Sequence, residues 1–399
     1  MNKRVHIAGM GVISAIGHSR AESLNSLRTS TDGISKLQGF QSILADTRPV
    51  GEVRISNTDL SNKLNVDANW TRTALLGLHA VNEAIEGIDL NAIDQRRIGL
   101  ISANTVGGMD KTEGFYRDFL QNGQTGDIKQ LLNHPCGTAT ELIANHLGIQ
   151  GFVSTINTAC SSSVNAIMLA ARLIDAGKLD LVIAGGADAL CCFTLNGFNS
   201  LMILDKEPSR PFDANRNGLN LGEGAGYLVL VSDQFLVRHG IKSLATVRGF
   251  ANTNDAYHQT ASSPEGRGSY DAMSQALTMA GLPPNEIDYI NLHGTGTINN
   301  DSSEGTAIQR LFGAKAPRLS STKAFTGHTL GASGGIEAVF SILALQEGCV
   351  FPNLRFENPI PELQLIPQLT FESGLPIRNV MSNSFGFGGN CSSIIFSNN

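Results

Sequence analysis

The chain has 399 residues, more than one hydrophobic core usually serves, so two domains or two fused halves are expected. Hydrophobic residues make up 41% and charged residues 16%, which fits a large core under a modest polar surface. A net charge of −6 without a Lys/Arg run argues against a nucleic-acid-binding role, and no run of about 18 apolar residues predicts a membrane span.

The opening "MNKRVHIAGMGVISAIG" sets basic residues before an apolar run, as a signal peptide does. His6 interrupts that run, no A-x-A pattern follows, and the glycines suit a strand passing into a loop. Further along, "RIGLISAN", "LDLVIAGGAD" and "GAGYLVLVS" read as strands, while "RTALLGLHAVNEAI" and "ATELIANHLGI" carry apolar residues at helical spacing. That alternation predicts an α/β fold with buried sheets. Between two such elements, "NTACSSSVNA" places Cys160 where the extended "FVSTIN" gives way to the amphipathic "IMLAARLIDAG". A cysteine there is either core filler or a nucleophile whose thiolate the helix N-terminus favours.

The second half echoes the first. "ATVRGFANTND" resembles the opening strand and its loop, and "YDAMSQALTMAGL" resembles the first-half helix. "APRLSSTKAFTGHTLGASGGIEAVFSILAL" parallels the Cys160 segment: strand, loop of small polar residues, apolar helix. Halves 1–242 and 243–399 are expected, with Cys160 and His328 on equivalent loops facing one cleft. "NLHGTGT" adds His293 at a strand end beside two glycines. Zinc on Cys160, His293 and His328 would need a fourth ligand or an open position, and no H-E-x-x-H or C-x-x-C spacing supports it. "GMGVIS" and "GEGAGY" lack the remainder of a nucleotide-binding motif. "NSFGFGGN" is either a plain glycine turn or a loop whose N–H groups face an oxyanion. The six cysteines show no metal or disulfide spacing, which points to a reduced, cytoplasmic protein.

Taken together, "GMGVISAIG", "NTACSSS", "SRPFDANRNGLNLGEGAG", "HGTGTINNDSSE", "KAFTGHTLGASGG" and "NSFGFGGN" resemble the β-ketoacyl-acyl-carrier-protein synthases, in the elongating Cys-His-His form. The resemblance implies a thiolase-like five-layered αβαβα fold of two duplicated halves, usually dimeric. It implies decarboxylative condensation of an acyl-enzyme thioester with malonyl-acyl-carrier protein. Acyl chains would ride on the carrier's phosphopantetheine, with no other cofactor required. By motif, Cys160 would accept the acyl group, with His293 and His328 beside the malonyl thioester. Lys323 would pair with Glu304, and Phe387 would gate the cysteine. Thr295 and Thr297 would contact substrate, and Val106 would bound the acyl tunnel. Backbone N–H groups of Cys160 and Phe387 would form the oxyanion hole. Asn291, Glu337, Ser382 and Asn383 match positions that hold a structural monovalent cation in some relatives; no catalytic metal is implied.

The chain departs from the family at Asn217–Leu219, where relatives carry Asp-Gly-Phe, and at Asn390-Cys391, where they often carry Thr-Asn. Glu141 falls on a helix near the dimer interface of relatives. The partners implied are an acidic acyl carrier protein and either a second copy or a chain-length-factor-like subunit. The sequence shows no basic cluster for the carrier's dock; Arg54, Lys63 and Arg72 could contribute, but scattered surface charges are the expectation. Alternative readings are a polyketide or aryl-polyene ketosynthase active only with such a subunit, a non-catalytic carrier-binding scaffold, and a biosynthetic thiolase.

Overall fold

The computed structural model describes residues 4–313 and 315–398; the first three residues, part of the basic opening, lie outside it. Five strands of the first half are β1 (Val5–Ser14), β2 (Ile98–Ala103), β3 (Phe152–Ile156), β4 (Leu181–Asp188) and β5 (Gly224–Ser232). Those of the second are β6 (Ala245–Asn254), β7 (Tyr289–Asn291), β8 (Arg318–Ser320), β9 (Asn379–Phe385) and β10 (Asn390–Ser397). They run β1-β5-β4-β2-β3 in the first half and β6-β10-β9-β7-β8 in the second, the same permutation twice. Strand senses repeat as well: the first two pairings of each half are antiparallel and the last two parallel. The halves join where β1 meets β6 over the pairs Val5–Val247, His6–Thr246 and Ile7–Ala245. The duplication anticipated from sequence is thus present in strand order and direction. The chain crosses between halves from His239, through the left-handed Gly240, to Ala245.

Helices fill the remaining layers. α1 (Arg72–Ala84) covers the outer face of the first half-sheet, packing Leu75, Leu78 and Val81 against Ile183, Tyr227 and Val229. α2 (Ser162–Asp175) lies in the middle layer. α3 (Arg267–Ala280) and α4 (Ile298–Phe312) cover the second half-sheet, with Met273, Leu277 and Ile308 against Ile290, Met381 and Ile395. α5 (Ser333–Glu347) is the other middle helix and is buried from Ser333 to Leu345, as an apolar sequence without a polar stripe requires. The inner strands of both half-sheets are therefore buried on both faces, and alternate residues of one strand serve different layers. Leu228 and Leu230 enter the central core with Val164 and Phe340, while Tyr227 and Val229 enter the outer one. α5 presses closely onto β5, because a Cβ on Gly226 would stand 2.4 Å from the Gly335 carbonyl carbon.

No helix among the described residues is long and apolar enough to cross a membrane. All six cysteines are free.

Candidate active site

Cys160 and His328 occupy corresponding places, each after the third strand of its half and before a middle helix. The chain leaves β3, passes through Ala159 at φ +55°, and enters α2 two residues after Cys160. A left-handed alanine costs about 1–2 kcal/mol, and here it turns the cysteine side chain into the cleft between the halves. His328 leaves a short helix (Lys323–Thr326) through Gly327 at φ +72°. Its Nε2 lies 3.0 Å from Cys160 Sγ, and its Nδ1 lies 2.9 Å from the Ser333 hydroxyl. His293 follows β7, with its ring edge-on to His328 at 5.4 Å between centroids. Its buried Nδ1 has no partner among the described residues.

The surroundings set the charge states. Burial and the nearby Lys323 ammonium push both histidines well below their ordinary value, so both rings are neutral at pH 7. Burial pushes the Cys160 thiol up to about 11, although Lys323 and the backbone N–H groups of Phe387 and Cys160 pull it down. The expectation of a resting thiolate at the helix N-terminus therefore gives way to a neutral thiol–imidazole pair. Desolvation of the sulfur outweighs the dipole and hydrogen bonds.

Lys323 does not pair with Glu304. Its ammonium bonds Glu337, and both side chains are buried. Glu304 instead accepts the backbone N–H groups of His293 (2.9 Å) and Gly294 (2.8 Å), and Asn383 Nδ2 (3.2 Å). The reason is local: Glu304 projects from α4 beneath the turn leaving β7, whereas Glu337 projects from α5 beside the Lys323 helix. Burial raises each carboxyl to about 7.

Of the four residues matched to a cation site, Asn291 and Ser382 are register partners across β7 and β9. Asn291 Oδ1, Ser382 Oγ and Glu337 Oε2 are buried without partners among the described residues, a donor set that fits a hard cation. The Asn383 side chain is committed elsewhere, accepting from Ser393 and donating to Glu304. One ligand atom each from Cys160, His293 and His328 lie within 4.8 Å of one another, as a metal would also ask. Glu304 is engaged by backbone N–H groups, Glu337 gives one oxygen to Lys323, and the Lys323 ammonium opposes a cation at the Cys-His-His cluster.

A cavity of about 980 Å³, open mouth included, reaches these three residues. Thr295, Thr297, Asn217 and Phe387 line it, and the two threonine hydroxyls lie 2.9 Å apart. Phe387 stacks on Phe198 at 5.9 Å. Val106 does not line this cavity; it is buried one layer behind, in the apolar cluster that includes Phe198, Ile203 and Leu219. Glu141 is an exposed helical acid. Of the three cations weighed for docking, Arg72 is tied to Glu223 at 2.6 and 2.7 Å, whereas Arg54, though bonded to Glu52, and Lys63 are exposed. Sequence reasoning missed Ser333, Asp188 and the role of Asn390. Asp188 ends β4 and accepts from Thr105, Val106 and Gly331 N–H groups, tying the β2 loop to the turn after His328.

Two duplicated α/β halves sharing a buried Cys-His-His cleft define a condensing enzyme of the thiolase type. Comparisons with known proteins place it more closely. The "Beta-ketoacyl synthase, N-terminal domain" family model matches residues 2–235, and the corresponding C-terminal domain model matches 244–357. The 3-oxoacyl-[acyl-carrier-protein] synthase 2 of Staphylococcus aureus (strain COL) is 33% identical over 409 residues, covering 99% of this chain and 98% of its own. The ishigamide ketosynthase/chain length factor superposes with a TM-score of 0.95 at 28% identity, covering 100% of both chains. A chain of the Xenorhabdus doucetiae complex of ketosynthase ApeO with its chain length factor ApeC has a TM-score of 0.87 at 31% identity, covering 100% of this chain and 98% of that one. The chain belongs to the β-ketoacyl synthase family of condensing acyltransferases.

Proposed function

We propose that the chain elongates acyl chains on acyl carrier protein by decarboxylative Claisen condensation. The observation that carries this is the pairing of a buried nucleophile with two neutral histidines and two backbone N–H donors in one cleft. In the first half-reaction Cys160 Sγ attacks the acyl thioester, the oxyanion is held by the N–H groups of Cys160 and Phe387, and the pantetheine thiol leaves with the cysteine proton. The Ser333 hydroxyl can turn its hydrogen toward or away from His328 Nδ1, so Nε2 can present a lone pair or an N–H. In the second, malonyl thioester loses CO2 and its C–C bonding pair passes into an enolate. His293 and His328 stabilise the enolate oxygen as neutral donors. The carbanion attacks the acyl-Cys160 carbonyl, the C–S bond breaks, and the Cys160 thiolate that leaves takes up one proton from solvent. The products are 3-oxoacyl carrier protein, CO2 and free carrier thiol.

In this reading Glu304 positions the His293 turn, Thr295 and Thr297 guide the substrate arm, and Phe387 gates the sulfur. Asn291, Glu337 and Ser382 would hold a structural cation. The chemistry calls for no further cofactor, and six free cysteines support a cytoplasmic setting.

A ketosynthase-fold subunit, either a second copy or a chain-length-factor-like partner, would cover the free edge of β3. Phe152 and Val153 are exposed there, and the helix Met109–Gln121 buries none of its residues while exposing Tyr116, Phe119 and Leu120. The test supplies acyl- and malonyl-carrier proteins of graded chain length to the chain alone and with a candidate partner. A product two carbons longer with CO2 release supports condensation; no product under either condition refutes it.

A further inference from the structure

The two oxyanion donors belong to separate segments. Cys160 sits on the β3–α2 turn, strained at Ala159, and Phe387 sits on the β9–β10 hairpin, where Gly388 and Gly389 hold φ +79° and +78°. Their N–H groups act together only if the two segments keep a fixed spacing. From the geometry we infer that Asn390 sets it.

Asn390 opens β10 directly after the Phe387 loop. Its backbone carbonyl closes that loop by accepting from Gly386 N–H at 2.8 Å. Its side-chain Oδ1 reaches the other segment, accepting from the Ser161 hydroxyl at 2.7 Å and from Asn165 Nδ2 at 3.0 Å. Ser161 adjoins Cys160, and Asn165 lies one turn into α2. Asn252 of β6 donates to the same oxygen at 2.6 Å and to Ser392 at 2.8 Å. Ser392 in turn donates to Asn165 Oδ1 at 3.0 Å, which turns the Asn165 amide toward Asn390. One residue therefore holds the gating loop with its main chain and the nucleophile turn with its side chain. The resemblance points to a threonine here in many relatives. A hydroxyl on Cβ is one atom shorter than this amide and cannot make the same span.

Asn390 is a positioning residue: it touches neither substrate nor reacting atoms. Its influence falls on the acylation step, where both N–H groups must meet one oxyanion, and a misplacement of about 1 Å there costs on the order of a hundredfold. The inference rests on the proposed roles of Cys160 and Phe387.

The experiment compares wild type, Asn390→Leu and Ser161→Ala in the full-length protein. Acyl transfer from acyl-carrier protein to Cys160 is followed by quenched intact mass, and alkylation of Cys160 by iodoacetamide is run beside it, since displacement at a saturated carbon forms no oxyanion. Acylation is expected to fall about tenfold to a hundredfold in Asn390→Leu and less in Ser161→Ala, where Asn165 and Asn252 still donate to Asn390. Alkylation rate and unfolding midpoint should stay within about twofold and a few degrees of wild type. Unchanged acylation in Asn390→Leu overturns the inference, as does an equal loss in alkylation and acylation, which marks general damage. Wild type that alkylates but never acylates refutes the underlying site assignment instead.

Discussion

Lys323→Met removes one member of a buried ion pair, and the structure dictates how the cost should depend on pH. Glu337 gives one oxygen to the ammonium, while the other has no partner among the described residues. Stripping a buried carboxylate of its counter-charge costs about 3–5 kcal/mol. Burial already raises this carboxyl to about 7 against the pull of Lys323, so without the lysine it rises further. An acid raised in the folded state binds a proton that the unfolded chain lacks, so stability falls as pH rises, by about 1.4 kcal/mol per unit until the folded pKa is passed. In wild type that fall ends near pH 7; in the variant it continues. The gap between them should widen by about 2 kcal/mol from about pH 7 to about pH 8.5. Unfolding free energies in urea across this range measure it. Lys323→Met/Glu337→Gln, which removes both charges, should recover most of the loss. A gap that stays flat with pH, or a double variant no better than the single, refutes the reasoning.

Three further outcomes follow from the same geometry. Because burial holds the Cys160 thiol up at about 11, its alkylation by iodoacetamide should rise about tenfold per pH unit from about pH 7 to about pH 10. A plateau below about pH 9 contradicts a neutral resting thiol. His293→Ala should cut CO2 release from malonyl-carrier protein about 10²–10³-fold while slowing Cys160 acylation less than about tenfold, because His328, not His293, touches the sulfur; equal losses in both steps would count against separate roles. Glu304→Ala leaves two buried N–H groups unpaired and should cost about 2–4 kcal/mol in unfolding free energy, with decarboxylation slowed more than acylation. A loss below about 1 kcal/mol would mean the turn holds itself.

The parts of this molecule legible in the sequence are those written locally. Strands buried on both faces leave near-continuous apolar runs such as "LVIAGGAD", and the Cys160 and His328 segments share a pattern of strand, small polar loop and apolar helix that survives duplication. The facing of Cys160 and His328 followed from that repeat, His293 came from its own strand-end motif, and the structure brings the three together. Pairings set by tertiary packing were not legible. Lys323 lies 14 residues from Glu337 and 19 from Glu304, and nothing in the sequence says which helix faces it. Arg72 looked like a surface cation because its partner, Glu223, lies 151 residues away. Asn390 was visible only as a departure from the family pattern; its three donors come from the residue before α2, a helical position and a strand, all distant in sequence. The thiol's charge state was misjudged because a helix N-terminus is a local signal, whereas desolvation depends on the whole cleft.

The most direct test of the central claim is intact-mass analysis of the protein after incubation with acyl-carrier protein, with Cys160→Ala beside it. The account predicts one acyl adduct on wild type, located to Cys160 and discharged by malonyl-carrier protein as a 3-oxoacyl product, and none on the variant. An adduct that persists in Cys160→Ala, or one on wild type that malonyl-carrier protein never discharges, would contradict it.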